Sequence, residues 1–171
     1  MQQQTATPNL ISQRDAMKRL GFLVGKWSGT ARLFPSAGPD LEMAWSEDAQ
    51  YRLDGLLLVI EAAGHDEANA SVRRAFGVIS YDDLTGTYYM RAYNDGRFLE
   101  TGLKLLDHGN GFTWGFAAGN IRTTSILQVN ERGEWTERHE ISVSSQPPRK
   151  FMELTAVRQP TESRCQAIHG R

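Results

Sequence analysis

Gly25-Lys26-Trp27-Ser28-Gly29 opens the first strand-like stretch of the chain, just after a short helical segment, and Arg158 answers it at the end of the last one. A Trp on the first strand of a small barrel can plug its closed end. An Arg from the last strand can lie across that indole by cation–π contact while the chain closes on itself. Between these two markers the sequence is almost entirely strand and turn, so the pair points to a closed β-barrel with an interior.

Working outward, turn chemistry recurs at short intervals: residues 35–39, Asp54-Gly55, 64–69, 82–86, Asn94-Asp95-Gly96, 107–111, Gly119-Asn120 and 130–133. Gly, Asn, Asp and Pro in such clusters supply the φ values and local hydrogen bonds of tight hairpins. The expected fold is all-β: a closed antiparallel up-and-down barrel of about ten strands, because consecutive pairing needs no long crossovers. One helix is expected at residues 13–20, capped by Ser12 and ended by Gly21, with Ala16, Met17 and Leu20 as its apolar stripe. Its place is against one barrel end.

Alternation with period two tells which residues face inward. Trp27, Gly29, Ala31 and Leu33 share one face, and Met43, Trp45, Ala49, Tyr51 and Leu53 share another, which carries Glu47 inside with them. Leu99, Thr101, Leu103 and Leu105 form a third face; Phe112, Trp114 and Phe116 a fourth. Trp135, Glu137, His139, Ile141 and Val143 lie together, and Met152, Leu154 and Ala156 lead to Arg158. Residues 56–63 and 74–81 are too uniformly apolar to orient.

With 171 residues the chain is long enough to bury a full core without disulfides or a structural metal. A net charge of −1 and a pI near 6.4 give no field for nucleic acid or an anionic membrane. The longest apolar run, 56–60, is too short to span a bilayer, and residues 1–10 hold no signal-type apolar stretch. The expectation is a soluble chain with the cytoplasm favoured over the periplasm, since the single Cys165 builds no disulfide framework. Flexible ends are expected at 1–10 and 160–171, around one barrel domain at 11–159.

Several of these segments resemble a known superfamily. Gly25-Lys26-Trp27-Ser28-Gly29 with the closing Arg158 resembles the calycins, the lipocalins and fatty-acid-binding proteins, and among them the ten-stranded nitrobindin-type barrels. Leu23-Val24-Gly25-Lys26-Trp27-Ser28-Gly29, Ile79-Ser80-Tyr81-Asp82 before Gly86-Thr87-Tyr88, Glu100-Thr101-Gly102 and Phe151-Met152-Glu153-Leu154 are similar to a bacterial lipocalin-like group described as a domain of unknown function. The resemblance implies a barrel enclosing a small apolar molecule and, in the nitrobindin branch, a haem. That branch needs a proximal histidine on the last strand. Residues 150–157 contain none, and Ala31 stands where nitrobindins place a third strand glycine. No cofactor is therefore expected.

The candidate ligand-binding set is Trp45, Glu47, Tyr51, Phe112, Trp114, Phe116, Trp135 and His139, with Gly25, Trp27 and Arg158 as the structural signature. His139 is the one histidine on an inward strand face, and a hydrogen bond to Glu137 or Glu47 is its plainest use. His65, His108 and His169 fall in turns or the tail, so no metal site is expected. Arg91 between Tyr89 and Tyr93 either binds a carboxylate inside or is solvated outside; apolarity favours Tyr88, Met90 and Ala92 as the inner face.

No nucleophile elbow, phosphate loop or paired-histidine motif is present, so no catalytic residue is assigned. Three functions stay open. The barrel binds a small apolar or amphipathic ligand; or it is an isomerase, cyclase or hydrolase using Glu47 and His139; or a filled interior serves assembly, with a homodimer as one form.

Overall fold

The computed structural model describes residues 7–160 apart from 67, 69 and 95; Cys165, His169 and most of both expected flexible ends lie outside the described residues. Ten strands close into one antiparallel barrel: β1 (Gly25–Leu33), β2 (Leu41–Arg52), β3 (Leu57–His65), β4 (Ser71–Asp82), β5 (Thr87–Asn94), β6 (Arg97–Leu105), β7 (Gly111–Ala118), β8 (Ile121–Val129), β9 (Glu134–Val143) and β10 (Arg149–Arg158). Each strand pairs with its sequence neighbours, and β1 pairs with β10 to complete the ring.

The base of the barrel is closed as the Trp–Arg pair predicts. Trp27 is fully buried, its ring lying edge-on to Trp135 at 5.4 Å. The Arg158 guanidinium sits 4.1 Å from the Trp27 ring and donates to the Val24 and Phe22 carbonyls, while Trp27 Nε1 donates to the Leu23 carbonyl at 2.8 Å. Gly25 makes room for this: its φ is +133°, and a Cβ there would lie 2.6 Å from Arg158 Nη1. Around the plug, Ala49, Leu58, Ile79, Tyr88, Leu103, Phe112, Leu127 and Trp135 fill the lower half.

The helix starts earlier than the sequence reading placed it. α1 (Leu10–Lys18) is capped by Asn9, whose side chain accepts the Ser12 N–H. Ser12 thus contributes its backbone to the cap and not its hydroxyl. Leu20 is the cap residue before the 3-10 turn that follows, which spans Gly21–Leu23. Met17, Leu20 and Leu23 seal the base, each burial stabilising by about 1.5–3 kcal/mol. Two tyrosines of the wall hold the helix end, Tyr51 donating to the Met17 carbonyl at 2.6 Å and Tyr88 to the Ala16 carbonyl at 2.7 Å. Both carbonyls also accept a backbone N–H of the tightened last turn, Ala16 from Arg19 and Met17 from Leu20, so each tyrosine is a second donor.

Leu53 does not continue the inner face of β2. It lies in a 3-10 turn, Leu53–Gly55, with positive φ and 67 % exposure, because the chain must reverse there to start β3. The segments that could not be oriented from sequence take their faces from register. Ile60 opposes Gly77 and Ala62 opposes Ala75, all inward. Val78 pairs with Arg91, which lies outside and bridges Glu100, so Met90 and Ala92 line the inside as apolarity favoured.

Two departures from a uniform wall set the shape of the interior. At Gly29 a Cβ would meet the Thr155 carbonyl oxygen at 1.9 Å, so β1 and β10 approach more closely there than any side chain allows. Between β6 and β7, among the described residues, the ladder consists of Lys104↔Thr113 and Leu105↔Phe112. Above it the strands splay, and the Thr101 hydroxyl reaches across to the Gly115 carbonyl at 2.8 Å.

Candidate functional site

The upper half of the barrel is packed differently from the base. Inward positions on β3, β4 and β5 are small, with Ala62, Gly64, Ala75, Gly77 and Ala92, whereas Trp45 and Trp114 occupy other walls. Inward-facing Ile60, Ala62, Ala75, Ala92, Thr101 and Trp114 are only half-buried, and with the buried Met43, Trp45, Met90 and Met152 they form the inner face of this half, the cup.

A polar belt lies beneath this apolar ring. Residues two apart on a strand share a face, so a Trp can reach a Glu two positions on. β2 and β9 both use this device. Trp45 Nε1 donates to Glu47 Oε1 at 2.7 Å, and Trp135 Nε1 donates to Glu137 Oε1 at 2.7 Å. Between these strands run β1 and β10, where Gly29 and Ala156 lie in register between Trp45 and Trp135, while Trp27 pairs with Glu47 and Leu154 with Glu137.

Glu47 is 5 % exposed, and its Oε2 is buried without a hydrogen-bond partner. Burial pushes its carboxyl well above the usual carboxylate range, the Glu137 charge pushes it further, and the Trp45 N–H only partly opposes them. Glu47 therefore keeps its proton where an ordinary glutamate has lost it. With Oε1 accepting from the indole, Oε2 is the oxygen left to carry the proton.

Glu137 Oε2 lies 2.9 Å from His139 Nε2, and His139 Nδ1 lies 2.8 Å from Ser125 Oγ. Ser125 and His139 are cross-strand partners, which sets this chain in the plane of the β8–β9 ladder. Trp114 meets the imidazole edge-on at 5.5 Å and Phe151 covers it at 5.7 Å. Both ring nitrogens are committed, and β10 offers no histidine, so the residues present do not fit a haem. Among the described residues no group of three or more His, Cys, Asp or Glu side chains is placed to hold a metal ion.

Of the residues singled out in the sequence, Trp45, Glu47, Trp114 and His139 come together at this level. Phe112 and Trp135 belong to the filled base, Trp135 contributing its N–H to the belt. Tyr51 spends its hydroxyl on the helix. Phe116 has inward parity but stands near the rim, 41 % exposed, where Thr123 pairs with it. A concavity of about 600 Å³ lies over the β6–β7 splay, bordered by Leu103, Trp114, Phe116 and Thr123.

Sequence reasoning missed Ser125. Along β8 the inward Thr123, Ser125 and Leu127 are no more apolar than the outward Arg122, Thr124 and Ile126, so alternation carried no signal. It also passed over a signal that was present: Trp45-Ser46-Glu47 and Trp135-Thr136-Glu137 are the same short motif written twice.

The outer wall carries its own features. Phe76, Tyr93 and Phe98 stack in a row, 6.4 and 5.9 Å apart, on the outside of β4, β5 and β6. A groove of about 930 Å³ runs beside them, lined in part by Lys26, Ser46, Glu61 and Arg74.

No family model matches the sequence, and no curated protein matches it. Solved structures do share the fold. Rv2717c from M. tuberculosis superposes with a TM-score of 0.60 at 12 % identity, covering 85 % of this chain and 98 % of that one. The S-type phycobiliprotein lyase CPES from Guillardia theta gives 0.57 at 12 %, covering 86 % and 93 %. These likenesses show a shared fold, a closed ten-stranded antiparallel barrel, as the Gly25–Gly29 stretch and Arg158 indicated. Among the described residues no helix is long and apolar enough to cross a membrane.

Proposed function

We propose that this barrel binds a small apolar or amphipathic molecule in its upper half, with the molecule's polar end on the belt of Glu47, Glu137, His139 and Ser125. One observation carries the reading: a buried carboxyl oxygen, Glu47 Oε2, has no partner beneath an apolar ring that is only half-buried. A buried polar group left unpaired costs about 1–3 kcal/mol, and a bound molecule that pairs with it recovers that cost. The mix of apolar walls with a few convergent polar groups is the usual make-up of a small-molecule site. Among the indoles, Trp114 is half-buried on the cup wall, so a ligand there changes tryptophan emission directly. Titration with apolar dyes and C10 amphiphiles should quench that emission saturably, and Trp114→Leu should weaken binding while leaving the barrel folded. Emission indifferent to the whole panel refutes the reading.

A second reading rests on the Ser125–His139–Glu137 chain, whose 2.8 and 2.9 Å links match the serine–base–carboxylate order of an acyl-transfer site. The neighbour called a phycobiliprotein lyase is an enzyme by its name, so a barrel of this shape accommodates catalysis. Hydrolysis of a p-nitrophenyl ester that Ser125→Ala abolishes supports this reading; hydrolysis unchanged by that substitution removes it.

A further inference from the structure

We propose that the molecule taken up by the cup is an amphipathic cation, an apolar amine whose nitrogen settles between Glu47 and Glu137 with its tail toward the mouth; this rests on the interior-binding reading above. The geometry favours a positive head for three reasons. Two strands deliver a carboxyl group each, and the short Gly29 and Ala156 lie in register between Trp45 and Trp135, the indoles that hold those carboxyls. The indole N–H groups that satisfy Oε1 of each glutamate leave Glu47 Oε2 without a donor, so a cation with N–H groups completes what the protein leaves open. The nearest positions that register sets around Glu47, Trp27 on β1 and Ala62 on β3, bring no charge to compete for it.

A carboxylate head meets the opposite situation. It would enter beside Glu137 and against a second acid, which is repulsive and poorly solvated. Arg91, the residue that could have held a fatty acid inside, is on the outer wall against Glu100. Arg73 and Arg97 have inward register but stand near the mouth, level with Gly64 and Asn94, so an anion could only be met there, with its tail downward.

Proton balance gives the proposal its signature. Without a cation beside it Glu47 is held protonated by burial and by Glu137. As an ammonium arrives, the Glu47 O–H bond breaks, the carboxylate pairs with the ammonium, and the proton leaves to solvent. An alcohol of the same length drives no such release.

The test uses the full chain with decylamine, decanol and decanoate, followed by tryptophan emission and by calorimetry at pH 7 in two buffers of different ionisation heat. The expected result is decylamine binding about tenfold or more tighter than decanoate, with protons released as the amine binds. Glu47→Gln should lose both the preference for decylamine over decanol and the proton release; Glu137→Gln should reduce the preference. Decanoate binding as tightly as decylamine, or an amine preference that survives Glu47→Gln, overturns the proposal while leaving interior binding intact. If none of the three alters emission, the interior-binding reading falls and this inference with it.

Discussion

Replacing Glu47 by Gln tests the electrostatics of the belt without any ligand. In the unfolded chain a glutamate releases its proton near pH 4.3 or so. In the folded barrel Glu47 retains it well above that range, first because it is buried and second because Glu137 carries a charge nearby. Between these two pKa values the native state binds more protons than the unfolded state, so stability falls as pH rises. The fall approaches about 1.4 kcal/mol for each pH unit that lies between the two pKa values. The Glu47→Gln side chain keeps the native shape and an acceptor for the Trp45 N–H but has no proton to lose. The stability difference between variant and wild type should therefore be small near pH 4.5 and grow in the variant's favour toward pH 7. Urea unfolding followed by tryptophan emission at half-unit steps of pH measures it, with the urea dependence confirming that both unfold the same surface. Curves that stay parallel from pH 4.5 to pH 7 would refute the argument, because they would mean that Glu47 ionises as freely in the barrel as in the open chain.

Trp27→Ala should cost about 3–5 kcal/mol, the range for removing a large buried aromatic; a loss under about 1 kcal/mol in urea unfolding means Trp27 is not the plug. Gly29→Ala should cost about 3 kcal/mol or more, because its methyl would meet backbone atoms of Thr155 and Ala156 that no side-chain rotation can move; wild-type thermal stability would contradict the close approach of β1 and β10. Ferric haem added to the purified protein should give no sharp Soret shift, since coordination through His139 must break its bond to Glu137 or Ser125; a shift that His139→Ala abolishes would reverse this.

The fold was legible because its strongest determinants are local. Turn residues sit at the hairpins, the period-two faces of β1, β2 and β6 match the observed burial, and Trp27 with Arg158 marks the closure, whereas on β9 Val143, expected inward, is exposed. What was not legible depends on register. Ile60 and Val78 are equally apolar, and only pairing decides that one faces in and the other out. The helix boundary moved because Asn9 and Ser12 are both good capping residues, and it is tertiary contact, Asn9 N–H to Asp83 at 2.8 Å, that favours Asn9. For the site, Glu47, Trp45 and His139 could be placed inward from alternation. That the Glu137 charge acts on Glu47 across two intervening strands could not, since nothing in a one-dimensional pattern says that β1 and β10 close the ring between them.

The order of pairing around the ring has a kinetic side. Every ladder joins strands adjacent in sequence except that of β1 with β10, which links the two ends of the chain. Hairpins form quickly because they close short loops, whereas joining the termini must overcome the entropy of a loop nearly as long as the chain. A ribosome therefore delivers the partner of β1 last, and until then β1 and β9 present raw edges to whatever else is in solution. Trp27, Gly29 and Arg158, the residues that seal the seam, thus end the exposure of those edges as well as stabilising the finished barrel.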